Sequence, residues 1–266
     1  MVIKPIAQKF FSLGLLVGFI LFFGACGKKE KTIEEMSFKE LVVKVDEALE
    51  MKRKENAIPF LEQLVAAYPE HQQIADYKLK LADLYLKDAR HEAAFVLYEN
   101  FGNLYPSHPQ ASYAHYQQIL AKFYQTLKIS ESCDSSLTEQ VVTLCSAYLE
   151  NPVFKEHRQD VTDIESTCHH RLLDKEVYVF SSYLRQGKMD SAKSRLAYLK
   201  EKYSGEKHKD LEPRLLYLEC KLAHKEHNQT QESELFNKLA DAYPESEFTH
   251  MAQGFIEHQR PTGFIA

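Results

Sequence analysis

Residues 75–108 read ADYKLKLADLYLKDARHEAAFVLYENFGNLYPSH. Counted from Ala75, Leu81, Ala82, Tyr85, Ala94, Tyr98, Phe101 and Pro106 fall at the seventh, eighth, eleventh, twentieth, twenty-fourth, twenty-seventh and thirty-second places. Apolar residues at helical spacing on both sides of a polar break make a helical hairpin. The small Ala82 and Ala94 let its two helices approach closely, while Tyr85, Tyr98 and Phe101 fill the seam to the next hairpin. Tyr105-Pro106 stops the second helix, because proline has no N–H donor and its ring clashes with the preceding turn.

Tyr68-Pro69 and Tyr243-Pro244 close amphipathic runs in the same way, and Asn151-Pro152 and Tyr203-Ser204-Gly205 stand where further copies end. Counting back from Pro69 places Leu41, Ala48, Ala57, Leu61 and Leu64 at the matching positions; from Ser204 they are Phe180, Tyr183, Ala192, Leu196 and Leu199. From Pro244 they are Leu216, Ala223, Phe236 and Leu239, with Glu232 at the twentieth place, where a small residue is expected. This is the spacing of tetratricopeptide (TPR) repeats, and it predicts an all-α superhelical solenoid of about five TPR-like helical hairpins. The repeat domain spans 37–255, with repeats near 38–71, 75–108, 109–152, 156–205 and 213–246, and residues 256–266 form a tail. The third repeat is broken: its helices are expected over 111–126 and 138–150, with a Ser-rich insertion over 129–136. A stack of hairpins presents a concave face lined by the first helix of each pair and has no inherent active site, so the implied class of function is binding.

Composition agrees. The 266 residues are 44% hydrophobic and 27% charged, enough to bury a core, and nine glycines with nine prolines are too few for a turn-rich sheet fold. A net charge of −5 offers no field to hold a phosphate backbone, which argues against a nucleic-acid partner.

The first residues set the compartment. Lys4 and Lys9 precede sixteen uncharged residues over 10–25, too short for a membrane span and right for a signal peptide over 1–25. Phe23-Gly24-Ala25-Cys26 resembles the lipobox of bacterial lipoproteins, with Phe23 where Leu is usual. That resemblance implies cleavage before Cys26, acylation of its thiol and amine, and a chain held on a membrane by acyl chains worth about 0.8 kcal/mol per buried methylene. Gly27, where an Asp would retain a lipoprotein in the inner membrane, points to the outer membrane. Residues 26–36 form a tether that reaches at most ~35–40 Å.

No catalytic constellation is legible. There is no Gly-rich phosphate loop, no Gly-x-Ser-x-Gly and no metalloprotease His pair, so neither an enzyme nor a cofactor is expected. Glu165, Cys168 and His169 share a helical face at spacing that suits zinc, but three ligands without a fourth read better as an exposed helix face next to a seam cysteine; His224 and His227 could also chelate a metal but read better as a solvated, charged face beside Lys225 and Glu226. Cys133, Cys145, Cys168 and Cys220 include no Cys-x-x-Cys pair; a Cys133–Cys168 disulfide is a possible pairing in an oxidising compartment.

Two stretches resemble the BamD family (also YfiO or ComL), TPR lipoproteins of the β-barrel assembly machinery. Tyr105-Pro106-Ser107-His108-Pro109 followed by Tyr113 and Tyr116 is similar to the family's turn, with Pro106 ending one helix and Pro109 opening the first turn of the next. Glu176, Val179, Tyr183, Gly187, Ala192 and Arg195 resemble its fourth repeat. Ile119 departs from the family's usual Gly, and the insertion lacks its Arg-Asp element. The resemblance implies a lipid-anchored protein on the periplasmic side of the outer membrane. Its partners would be a BamA-like barrel insertase, unfolded outer-membrane β-barrel proteins and other assembly lipoproteins. Arg195 is the residue implied to contact the insertase, as a guanidinium on an acidic side chain. For a substrate β-signal peptide, the repeat register points inward at Val42, Asp46, Leu49, Leu79, Asp83 and Leu86, with Tyr113 and Tyr116 beyond. A TPR scaffold for cell-wall or division machinery shares the repeats without needing Arg195.

Overall fold

The computed structural model describes residues 31–51, 54–127, 135–203 and 205–257. Among them are eleven α-helices and no strand. The chain divides into two compact units, up to Ile74 and from Ala75 onward.

In the first unit α1 (Phe38–Glu50) and α2 (Lys54–Ala67) form a hairpin. Ser37 and Glu40 make a reciprocal capping box at the start of α1, with the Glu40 carboxylate accepting from the Ser37 N–H at 2.8 Å. Leu41, Val45 and Ala48 of α1 are buried, as are Ala57, Leu61 and Leu64 of α2.

The second unit continues the pattern with α3 (Ile74–Lys87), α4 (His91–Leu104), α5 (Ala111–Thr126), α6 (Ser136–Glu150), α7 (Arg158–Arg185), α8 (Met189–Tyr203), α9 (Glu212–Lys225), α10 (Gln229–Ala242) and α11 (Glu247–Glu257). Ala75, Leu79 and Ala82 of α3 share one core with Ala94, Tyr98 and Phe101 of α4 and with Ala114 and Ala121 of α5. The contact of α4 with α5 is close enough to need Gly102: a Cβ there would lie 2.7 Å from the His115 ring. The first half of α7 packs with α6 through Val161, Ile164 and Cys168, and its second half joins α8, α9 and α11 in a further core that holds Phe180, Leu196, Leu199 and Leu218. The insertion lies outside the described residues except for its last two, Ser135 and Ser136, and Cys133 is among those outside.

Two turn chemistries repeat along the chain. Within hairpins, one residue adopts positive φ at the end of the first helix: Ala89 (57°), Gly187 (69°) and His227 (58°). The next residue's N–H then reaches back five places, from Arg90 to Tyr85, Lys188 to Tyr183 and Asn228 to Ala223. Between hairpins, Tyr-Pro is followed by a residue whose N–H bonds the Tyr carbonyl and whose side chain accepts an N–H two residues on. His71 does this for Gln73, His108 for Gln110 and Ser246 for Phe248. Pro109 is part of that turn: the N-cap of α5 is Gln110, so Pro109 precedes the helix instead of opening its first turn.

Two local expectations are corrected. Glu232, where a small residue was expected, is 6% exposed, and its carboxylate pairs with His224 Nδ1 at 2.8 Å. His224 is therefore a half-buried partner, with Phe255 against its ring, and not part of a solvated face. Likewise Glu165 is buried and not on an exposed face, while Cys168 beside it lies in the α6–α7 seam.

Candidate binding surfaces

Val42, Asp46 and Leu49 line one side of α1 in the first unit, with Asp46 exposed and the two apolar residues half-buried. In the second unit Leu79 is buried in the core shared by α3, α4 and α5, while Asp83 and Leu86 are half-buried on α3. Asp83 Oδ1 accepts two phenol hydroxyls, from Tyr98 at 2.7 Å and from Tyr113 at 3.0 Å. Burial, followed by the Asp83 carboxylate, pushes both phenols far above the usual tyrosine range, so they remain donors. Tyr116 lies flat on the His157 ring, centroids 4.0 Å apart and planes at 5°. Asp83 and Tyr113 are thus brought together, whereas Tyr116 of α5 turns to His157 at the start of α7.

Arg195 stands on α8 with its Nη1 2.8 Å from Glu176 Oε2 of α7, both side chains partly exposed. Its guanidinium also sits over the Tyr198 ring, 5.5 Å from the centroid. Lys202 Nζ donates to the Tyr198 hydroxyl at 3.2 Å. The spacing 195, 198, 202 puts two cations and a 41% exposed tyrosine on one helix face. Sequence reasoning singled out only Arg195; the i, i+3, i+7 pattern is the signal that brings in Tyr198 and Lys202. The contact with Glu176 uses one of the guanidinium's five N–H donors.

The cysteines do not resemble reactive centres. Burial pushes the Cys168 thiol up to about 11 and the Cys220 thiol up to about 12, and neither is in a disulfide. Glu165 accepts from the Ser146 hydroxyl at 2.6 Å. Among the described residues no group of three His, Cys, Asp or Glu side chains is placed to hold a metal ion. No helix among them is long and apolar enough to cross a membrane. The Cys133 pairing and Cys26 fall outside the described residues.

The model of the YfiO family, described as outer membrane lipoprotein, matches residues 34–221, from before α1 to within α9. The chain belongs to the YfiO (BamD) family. The match takes in α8 and its Arg195, and parts of both units. Among solved structures, the chain is similar to crystal structures of nearly identical TPR-like repeats of a putative kinesin light chain from Podosopora anserina. One is 14% identical over 86% of this chain and 99% of that chain, with a TM-score of 0.32. A single-residue variant of it is 13% identical over 83% and 96%, with a TM-score of 0.33. The pairing of helices into hairpins described above rests on this chain's own packing.

Proposed function

We propose that this YfiO-family protein is a non-catalytic lipoprotein, acylated at Cys26 on the periplasmic side of the outer membrane, that helps assemble and insert β-barrel proteins. In this reading Arg195 binds an acidic side chain of a BamA-like insertase. Substrate β-signal peptides meet the α1 face of Val42, Asp46 and Leu49 in the first unit and, in the second unit, Leu79, Asp83, Leu86 and Tyr113, with Tyr116 at its separate place on α5. The observation that carries the proposal is the family match through α8. Arg195 adds physical support: it is partly exposed, oriented by Glu176, and retains donors for a second carboxylate.

The test is recovery of partners from gently solubilised envelopes with the tagged, acylated protein, alongside Arg195→Ala and Glu176→Gln variants. The expected result is that a large barrel protein with periplasmic repeat domains accompanies the wild type and Glu176→Gln, and falls by about tenfold or more with Arg195→Ala, the scale of a lost charged contact. Recovery of cell-wall or division proteins in place of the barrel protein refutes the assembly role in favour of a scaffold. Equal loss in both variants refutes a direct role for Arg195, leaving it an internal partner of Glu176.

A further inference from the structure

Three faces of α8 are used in three ways. Ala192, Leu196, Leu199 and Tyr203 are buried in the core. Lys193 and Lys200, two turns apart, pair with carboxylates of α9, Lys193 with Glu226 at 2.5 Å and Lys200 with Glu219 at 2.9 Å. Arg195 and Lys202 repeat that interval two residues further on, which turns them about 200° round the helix from the first pair. On this face Arg195 meets one carboxylate, Glu176 of α7, and Lys202 makes no ion pair among the described residues.

Both cations are instead gathered on Tyr198, from one turn before it and one turn after it along the helix. The Arg195 guanidinium lies 5.5 Å from the ring centroid and the Lys202 ammonium 5.6 Å, with Nζ donating to the phenol oxygen at 3.2 Å. The ring they hold is 41% exposed. Contact with two cations restrains the tyrosine before any partner arrives, and an exposed tyrosine beside an arginine is the composition in which interface energy concentrates. The opposite face of the same helix shows what such a pair of cations takes, since there each one has a carboxylate from a neighbouring helix.

We infer that Tyr198 and Lys202 complete the Arg195 contact, making one strip of α8 that docks an extended segment of the partner protein with acidic, apolar and acidic side chains at alternate positions. The inference rests on the reading of Arg195 given above and deepens it by naming the segment that the arginine meets. In an extended chain, residues two apart share a face at about 6.5–7 Å, close to the 5.5 and 5.6 Å that separate each cation from the ring. The outer carboxylates then fall on Arg195 and Lys202, and the middle side chain lies on Tyr198. Charge complementarity selects the acids, and the ring between the cations selects a protein segment, because a phosphate headgroup offers nothing apolar to set on it.

The test uses the tagged, acylated chain in detergent and a fluorescein-labelled peptide with glutamate at its first and last places, phenylalanine at its centre and serine between. Binding is read by fluorescence anisotropy, beside a counterpart with glutamine for glutamate. Arg195→Ala, Lys202→Gln, Tyr198→Ala and Tyr198→Phe are compared with Lys87→Gln, which removes an exposed charge from α3, and circular dichroism checks that each variant folds. The expected result is binding of the glutamate peptide only, weakened by about tenfold in Arg195→Ala and by about threefold or more in Lys202→Gln and Tyr198→Ala, with affinity falling as salt rises. Tyr198→Phe, which keeps the ring, and Lys87→Gln should each change it by about twofold or less. No binding by the wild type, or losses in Lys202→Gln and Tyr198→Ala no greater than in Lys87→Gln, overturns the inference. Recovery of partners from envelopes with the same variants separates it from the reading it rests on. A barrel protein missing from the wild-type sample, while peptide binding keeps the expected pattern, refutes the insertase contact and leaves the strip as a site for acidic segments. A barrel protein that falls with Arg195→Ala but is fully recovered with Lys202→Gln and Tyr198→Ala upholds that contact and overturns the inference.

Discussion

Asp83 stands at a position expected to face a peptide, yet its Oδ1 already receives the hydroxyls of Tyr98 and Tyr113. Tyr98 is fully buried, and phenylalanine fills nearly the same volume, so Tyr98→Phe removes one charge-assisted hydrogen bond without opening a cavity. Such a bond is worth about 1.5–3 kcal/mol net. Tyr113 is half-buried, so water replaces part of what Tyr113→Phe removes, and about 0.5–1.5 kcal/mol is expected. Asp83→Ala is the costliest change, at about 3 kcal/mol or more, because it leaves a buried hydroxyl with no acceptor. In that background Tyr98→Phe should cost almost nothing, giving a coupling of about 1.5–3 kcal/mol. Urea unfolding of the chain beginning after Cys26, followed by circular dichroism, reads these as shifts in midpoint at unchanged slope. For Tyr98→Phe the midpoint should fall by about 0.5–1.5 M if the slope is near 2–3 kcal/mol/M. If Tyr98→Phe lies within about 0.5 kcal/mol of wild type, or the cycle shows no coupling, Asp83 does not hold α3 to α4 and α5, and its carboxylate is available to a ligand.

Gly102→Ala should destabilise the α4–α5 contact by about 1–3 kcal/mol, since the new Cβ meets the His115 ring at 2.7 Å. His115→Ala should recover most of that loss in the double variant, and a midpoint unchanged by Gly102→Ala removes the close-approach reading. Cys168 and Cys220 should resist iodoacetamide at about pH 8 in the native protein and react once urea is added, because their thiols remain protonated there. Folding raises both thiol pKa values, so their contribution to stability is full below the unfolded-chain value of about 8.5 and is lost as pH rises through about 11 and 12. Mass spectrometry of the alkylated sites checks the first point, and rapid native labelling of either cysteine contradicts it.

The sequence by itself determined the all-helical class and where several helices end. The pattern over 111–126 coincides with α5, and Tyr-Pro at 68, 105 and 243 stops helices where the chain turns. These are local properties: side-chain period and a missing N–H act within one or two turns, so they can be read without knowing what lies opposite. Closure of the hairpins was legible at Gly187 but not at Ala89 or His227. Neither residue advertises positive φ, and packing of the flanking helices imposes it. The side-chain partners were hidden for the same reason. Glu232 looked like a misfit until the turn between α9 and α10 placed it against His224. Asp83 looked like a groove residue until α4 and α5 brought two tyrosines to one oxygen. Asp174 is 40 residues from Arg214 in the chain, and only the placement of α7 beside α9 pairs them. Periodicity fixes which face of a helix is buried, but not which polar group waits across the seam. That depends on helix crossing and register, which the tertiary structure alone decides.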